Sequence, residues 1–171
     1  MAHFTVLKGE YPGLAQLDKT LPVKSGETGI VRGTILVEDA GTFRPCVAAD
    51  AGTKDILAGK IAYHSFAAQT DPDAVMAGGV TGMPCIAPVE IETDAYTGTP
   101  ALGSFVMCAN TGVLGAHTDG LTAVGLVTKA QYTRWSNTAT PAGGSYPGAR
   151  QGAMINVIAL WSVYLPNYAT A

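Results

Sequence analysis

A glycine-led, β-branched strand pair occurs twice in this chain, and the repeat constrains the fold more than any other feature. Residues 33–37 (Gly-Thr-Ile-Leu-Val) and a second apolar run at residues 58–63 form the first predicted strand pair. Both runs are bounded by turn residues, as is typical of strands. The pattern returns at residues 103–107 and 124–129, with leading glycines 103 − 33 = 70 positions apart and second glycines 125 − 59 = 66 apart. The sequence therefore predicts two copies of one β-rich unit.

Each predicted unit runs strand, turn, strand, long insertion, strand. Unit one covers residues 28–92 with its insertion at 65–82, and unit two covers residues 97–165 with its insertion at 131–152. Duplications of this kind usually fold about a pseudo-two-fold axis into one closed or nearly closed sheet. We therefore expect an all-β fold, a small β-barrel or sandwich built from two duplicated units.

The last strand of each unit has its own signature. Residues 83–92 predict a strand at an edge or a bulge, because its two prolines lack the N–H that a ladder requires. Residues 153–165 are mostly apolar on both faces, which indicates a strand that is covered on both sides or pressed against another subunit.

Residues 1–22 predict an extended N-terminal arm in front of a single β domain of residues 23–171. Apolar side chains recur there at steps of three and four, but Gly9 and the pair Pro12-Gly13 forbid a continuous helix. An arm with protruding apolar side chains has to lie on its own domain or on a neighbouring subunit. The contact residues predicted in the arm are Phe4, Leu7 and Tyr11.

The charge content limits the partners. Charged residues make up 13 % of the chain, against about 25 % in an average protein, and the formal net charge is −3 with no run of Lys or Arg. This composition excludes nucleic acid as a partner and favours a surface that neighbours cover. The N-terminus has no secretory signal and the longest apolar run, residues 157–165, is too short to span a bilayer. We expect a soluble protein made in a cytoplasm, with no membrane partner.

Three carboxylates alternate along one predicted strand. Glu90, Glu92 and Asp94 would point to one side, with neighbours about 7 Å apart. Such a row could hold a cation, act as an acid/base pair or meet a basic patch on a partner. A solvated strand face explains the pattern without further assumptions and is the favoured interpretation.

The cysteines predict buried free thiols. Cys46, Cys85 and Cys108 are odd in number, lack a Cys-x-x-Cys spacing and sit in apolar strands. The histidines are scattered without metal-ligand spacing and are predicted to lie at the surface or in turns, and a nucleophile pair of Cys108 with His117 is not favoured. The sequence therefore predicts no catalytic residue, no cofactor and no metal site.

The second insertion, residues 131–152, carries aromatic and guanidinium side chains on a Gly, Pro, Ser and Thr background. These are the residue types enriched at the energetic centres of protein interfaces. The alternative is that Trp135 folds back onto the rim of the domain. The partner-binding residues predicted in this insertion are Arg134, Trp135, Tyr146 and Arg150.

The Gly-Thr-Ile-Leu-Val and Ala-Gly-Lys-Ile-Ala strand pairs, the low charge and the extended arm resemble the small head decoration, or cement, proteins of tailed bacteriophages. The resemblance covers most of residues 23–130. It implies a non-enzymatic protein on the outer capsid surface of a virion, made in the host cytoplasm. The implied partners are the major capsid protein, whose neighbouring subunits it would clamp, and further copies of itself, with a trimer favoured over a dimer.

Two other classes stay open at this point. A tail or spike module with a carbohydrate-binding face would use exposed Trp135 and Tyr146 to stack on sugars. A small β-barrel hydrolase would use Cys108 or the pair Glu90 and Glu92.

Overall fold

A computed structural model describes residues 4–8, 18–51, 62–85, 89–133 and 153–164. Within these ranges, antiparallel strands form a five-stranded and a six-stranded sheet, joined by short turns and one short helix. The predicted all-β class is confirmed.

The elements follow one another along the chain as a series of short strands that ends in two long ones. They are β1 (Phe4–Lys8), β2 (Lys19–Leu21), β3 (Ile35–Asp39), β4 (Thr42–Pro45), a 3₁₀ turn (Ala48–Ala51), β5 (Ala62–Ser65), α1 (Pro72–Met76), β6 (Val80–Pro84), β7 (Glu90–Thr93), β8 (Phe105–Ala109), β9 (Val113–Ala116), β10 (Thr122–Thr133) and β11 (Ala153–Tyr164).

The two sheets repeat the same strand order. Sheet one runs β2-β6-β5-β3-β4, and sheet two runs β7-β11-β10-β8-β9 with β1 added outside β7. An isolated parallel bridge also recurs, between Val23 and Phe43 in the first set and between Tyr96 and Leu114 in the second. The duplication read from the sequence is therefore present at the level of strand pairing. From here on, unit one denotes the set β2 to β6 and unit two the set β7 to β11, so that β2 (Lys19–Leu21) belongs to unit one and β7 (Glu90–Thr93) to unit two.

Single turn hydrogen bonds recur as well. The Gly33 N–H donates to the Ser65 carbonyl at 2.7 Å, and the Gly103 N–H donates to the Val127 carbonyl at 2.9 Å. Both glycines have positive φ, +88° and +77°, a conformation that side chains disfavour. The leading glycines of the repeat thus serve as turn residues that let β3 and β8 enter their sheets.

The prediction of one continuous strand over residues 83–92 is wrong. β6 ends at Pro84 in sheet one, and β7 begins at Glu90 in sheet two. A continuous apolar run carries no period that marks where one sheet is left and the next is entered. The insertion predicted at residues 65–82 also differs, since it contains α1 and the first residues of β6.

The main core lies between the two sheets. Ile35 and Val37 of sheet one pack there against Val106 and Ile155 of sheet two. A second, smaller core lies on the other side of sheet one, where Leu36, Phe43 and Tyr63 meet Ala74 of α1. Sheet one is consequently the middle layer of the molecule, with sheet two on one face and α1 over part of the other.

The units stack face to back. Register places Ile35 and Phe105 at equivalent positions, as it does Leu36 and Val106. Ile35 faces the main core in unit one, whereas Val106 faces it in unit two. A two-fold axis would bury the same face of both units, so the expected pseudo-two-fold arrangement is wrong.

Candidate interaction surface on sheet two

The N-terminal strand forms the first part of a candidate interaction surface. β1 pairs antiparallel with β7, from Phe4 opposite Thr93 to Lys8 opposite Glu90, and its register shifts between Val6 and Lys8. The residue at this shift, Leu7, is 40 % exposed. A bulge on a terminal strand bends the chain and re-aims a side chain. The predicted contact residue Leu7 is therefore presented to solvent.

The root of the second insertion lies at the end of sheet two where β1 begins. The β10–β11 ribbon extends to the pair Thr133 and Ala153, so residues 131–133 of the predicted insertion are still part of β10. Thr93 is paired with Phe4 on one side and with Ile155 on the other. Neighbouring strands lie about 4.8 Å apart, so the backbone at the start of β1 is roughly 10 Å from that of the ribbon. The start of β1 at Phe4 thus lies close to the root of the insertion, whereas Leu7 lies further along β7, towards Glu90.

A polar network covers the outer face between them. The Tyr132 hydroxyl donates to the Glu92 carboxylate and lies 2.7 Å from Oδ1 of Asn156. The Thr128 hydroxyl donates to Oε1 of Glu90 at 2.6 Å. These contacts join β7, β10 and β11 across the face. Hydrogen bonds of this kind supply the partners that carboxylates need when they lie on a packed sheet.

The predicted solvated face is wrong for Glu92, which is 5 % exposed. The Lys129 ammonium lies 3.7 Å from the centroid of the Tyr132 ring and adds a cation–π contact above the same hydroxyl network. Asp94 follows the end of β7, and burial raises its pKa. Within the residues that the structure describes, no group of three His, Cys, Asp or Glu side chains is placed to hold a metal ion. The carboxylate row is part of the packing between strands.

The three cysteines are buried free thiols, as predicted. The Cys46 thiol donates to the Ala109 carbonyl at 3.2 Å. A hydrogen bond with Cys108 and burial raise the pKa of Cys46, and burial raises the pKa of Cys85. A thiol with a raised pKa stays protonated and is a poor nucleophile. Cys46, Cys85 and Cys108 all lie in the main core. A hydrolase that used Cys108 would need this thiol to be accessible to the substrate.

His64 contradicts the prediction of a surface histidine, because it is buried in sheet one opposite Ile35. Desolvation lowers its pKa to about 3, although a backbone hydrogen bond with Gly33 acts in the opposite direction. His117 is half-buried beside Phe105, and its Nε2 is 2.9 Å from the Leu121 carbonyl, to which it donates. No motif spacing marks a buried neutral histidine, so the sequence could not distinguish these two.

An open cleft of about 370 Å³ lies beside β4 in unit one. The Arg44 guanidinium at its wall is held by both oxygens of Asp50, each at 2.7 Å, and lies 3.5 Å from Asp39. The hydrogen bond to Asp50 raises the pKa of Arg44. Because two carboxylates already neutralise this cation, the cleft is not built to bind an anion. Its lining residues are Glu27, Thr28, Gly29, Arg44, Pro45, Cys46, Val47 and Thr111.

Of the predicted contact residues, the structure places Phe4 and Leu7 on β1. The remaining ones lie outside the described residues: Tyr11, Arg134, Trp135, Tyr146 and Arg150.

No protein-family model, no curated protein and no solved structure matches this chain. Among the described residues, none of the helical structure is long and apolar enough to cross a membrane.

Proposed function

We propose that this protein is a structural, non-enzymatic virion protein that binds the outside of an assembled phage capsid. In this role it contacts the major capsid protein, acts as a homo-oligomer and stabilises the shell by clamping neighbouring subunits. The proposal starts from the repeated strand pairs that resemble phage head decoration proteins. Its strongest structural support is the position of β1.

β1 stands outside the duplicated frame. The second strand set is complete from β7 to β11, in the same order as the first, and β1 is added beyond it. The bulge at Leu7 then turns an apolar side chain outward from this added strand. A segment that the repeated frame does not require, carrying an exposed apolar residue, fits a contact with another protein.

Binding that is specific for the assembled shell stabilises it by mass action. A ligand that binds only one state shifts the equilibrium towards that state by RT ln(1 + [L]/Kd). At a free concentration of about 100 Kd this amounts to roughly 2.7 kcal/mol for each occupied site. Many equivalent sites on one shell would therefore add up to substantial resistance to disassembly.

The test is co-sedimentation of variants with expanded capsids. Leu7→Glu places a charge at the proposed contact, and we expect a loss of at least tenfold in bound protein. Met76→Glu is the matched control, since Met76 is 87 % exposed on α1, on the far side of sheet one from sheet two. Equal binding of both variants and of the natural protein would remove β1 from the proposal.

Two further variants test the rest of the surface. Deletion of residues 1–13 removes β1 entirely and should weaken binding at least as much as Leu7→Glu. The combined change of Trp135 and Arg150 to alanine tests the insertion that leaves the sheet beside β1. If none of these changes reduces binding to capsids, the proposed function is wrong.

The two other classes receive no support from the described residues. Trp135 and Tyr146, which a carbohydrate-binding face would use, lie outside them. Cys108 is buried in the main core, and Glu90 and Glu92 accept hydrogen bonds from β10.

A further inference from the structure

Unit one holds a glycine turn of unit two by two backbone hydrogen bonds. The Ile35 N–H donates to the Gly112 carbonyl at 2.7 Å, and the Gly112 N–H donates to the Cys46 carbonyl at 2.9 Å. Gly112 and the preceding Thr111 both have positive φ, +71° and +65°. We call the backbone of Ile35 and Cys46 that receives this turn the turn slot of unit one.

The fit in this slot requires glycine. A Cβ atom on Gly112 would lie 2.5 Å from Cγ2 of Thr34 and 3.1 Å from both the Ile35 carbonyl oxygen and Cβ of Pro45. The turn is fixed further by its Asn110 side chain, whose Oδ1 accepts a hydrogen bond from the Ala48 N–H at 2.9 Å.

Unit two carries the equivalent slot. Register places Phe105 where unit one has Ile35, and His117 where unit one has Cys46. The hydrogen bond across the slot recurs, from His117 N–H to the Phe105 carbonyl at 3.1 Å and from Cys46 N–H to the Ile35 carbonyl at 2.8 Å. In the described part of the chain, no backbone group accepts from the Phe105 N–H or donates to the His117 carbonyl. Among the described residues, none fills the second slot.

The rim of the open slot is apolar and exposed. Phe105 is 37 % exposed, whereas the equivalent Ile35 is fully buried in the main core. Unpaired backbone groups beside exposed apolar side chains are a template for pairing with another chain. The slot therefore has the features of an interface.

The matching turn is present in unit one. Ala40 and Gly41, between β3 and β4, have positive φ of +48° and +80°, the same combination as Thr111 and Gly112. This turn has one residue fewer than its counterpart, and Gly41 is exposed with nothing described within 4 Å of a Cβ built on it. The exposed turn that is equivalent to the docked one thus lies on unit one, and the slot that no described residue fills lies on unit two.

We propose that the Ala40–Gly41 turn of one copy docks into the slot between Phe105 and His117 of a second copy. This contact between two molecules has the same form as the contact that the Gly112 turn of unit two makes with unit one inside a single molecule. Because turn and slot are different surfaces, the contact is heterologous and closes into a ring where its rotation permits. It supplies a contact for the homo-oligomer in the proposed function, but it rests on the duplication alone and is testable without capsids.

The test uses two blocking variants of the full chain in solution. Gly41→Val fills the turn, and Ala116→Arg fills the slot, since Ala116 is exposed and equivalent to the Pro45 that Gly112 touches. Sedimentation velocity should show an oligomer for the natural protein and at least a tenfold weaker association for each variant alone. A 1:1 mixture should form a dimer and nothing larger, because one intact turn and one intact slot remain.

Gly26→Val is the matched control, because Gly26 has a φ of +88° and open space around it, and this variant should assemble normally. A natural protein that stays monomeric at all concentrations overturns the proposal, as does normal assembly of both blocking variants. Assembly lost in Ala116→Arg but kept in Gly41→Val indicates slot-to-slot contact and overturns it as well.

Hydrogen exchange on the natural protein gives an answer that does not depend on variant folding. Exchange of the Phe105 amide should slow at least tenfold on assembly. An unchanged rate means that copies associate through another surface. Protection that appears only after capsids are added assigns the slot to a turn of the shell protein, and in both cases the proposal is wrong.

Discussion

Equivalent positions in the two units carry opposite chemistry. In unit one, Lys19 and Glu38 form an ion pair of 2.6 Å at the surface. The equivalent residues in unit two are Ile91 and Cys108, which are buried in the main core. The strands pair in the same order and register in both units. What differs is the layer that covers the face, since sheet two has sheet one against it.

The other face shows the reverse. Ile35 and His64 are buried in unit one, and their equivalents Phe105 and Leu126 are partly exposed in unit two. Sheet one is a middle layer and sheet two is an outer layer. A duplicated backbone can therefore be kept while the side chains of each copy differ according to the face that the copy buries.

The greatest change is expected in the pH dependence of the free energy of unfolding, which reports on the buried His64 of unit one. The pKa of His64 is about 3 when folded and about 6.5 when unfolded, so the unfolded state binds more protons between these values. The stabilisation is fully present above pH 6.5 and is lost as pH falls, by at most about 1.4 kcal/mol per pH unit and roughly 5 kcal/mol in total.

His64→Leu copies the residue of unit two and should flatten the dependence of the free energy of unfolding on pH, measured by urea titration between pH 7 and pH 4. Met76→Leu, on the exposed side of α1, removes no titratable group and serves as the control that should keep the natural slope. If His64→Leu keeps the natural slope too, burial of His64 is not the source of acid sensitivity.

The next effect compares the occupied slot with the exposed turn. Gly112→Ala should lower the free energy of unfolding by about 3 kcal/mol, because it adds a clash with Thr34 to the strain of positive φ. Gly41→Ala carries the strain alone and should cost about 1 kcal/mol. Urea unfolding of dilute protein measures both, and equal losses would contradict the tight fit of Gly112.

A smaller effect concerns the outer face of unit two. Tyr132→Phe removes the hydroxyl that donates to the buried Glu92, and the loss in the free energy of unfolding should be about 2 kcal/mol. Thr128→Val removes the donor to the half-buried Glu90 and should cost less, since water can replace it. Thermal and urea unfolding of the two variants measure both losses. A larger loss in Thr128→Val would mean that Glu90, and not Glu92, is the carboxylate that depends more on its hydrogen bond.

The smallest effect is expected at the exposed counterpart of the core. Lys19→Met should change stability by no more than about 0.5 kcal/mol, because ion pairs at the surface are weak. The hydrogen bond to Glu38, which raises the pKa of Lys19, should be screened by salt, so that the difference disappears at about 1 M. A loss that persists at high salt would mean that the lysine stem contributes through packing.

Local features were readable from the sequence because short-range sterics fix them. Gly41 and Gly112 lie in the turns that follow the predicted strand runs 33–37 and 103–107, and both have positive φ. The long ribbon strand that begins at Ala153 also follows its apolar pattern. The break between Pro84 and Glu90 was missed, since it depends on which sheet each strand joins.

Turn residues and β-branched runs act over a few positions, so the all-β class and the two copies of one strand set could be predicted from the sequence alone. The face-to-back stacking of the copies, the burial of Glu92 and His64, and the filling of one turn slot but not, among the described residues, of its equivalent became visible only in the fold. These features depend on which layers meet, and contact between residues far apart in the chain leaves no period in the sequence.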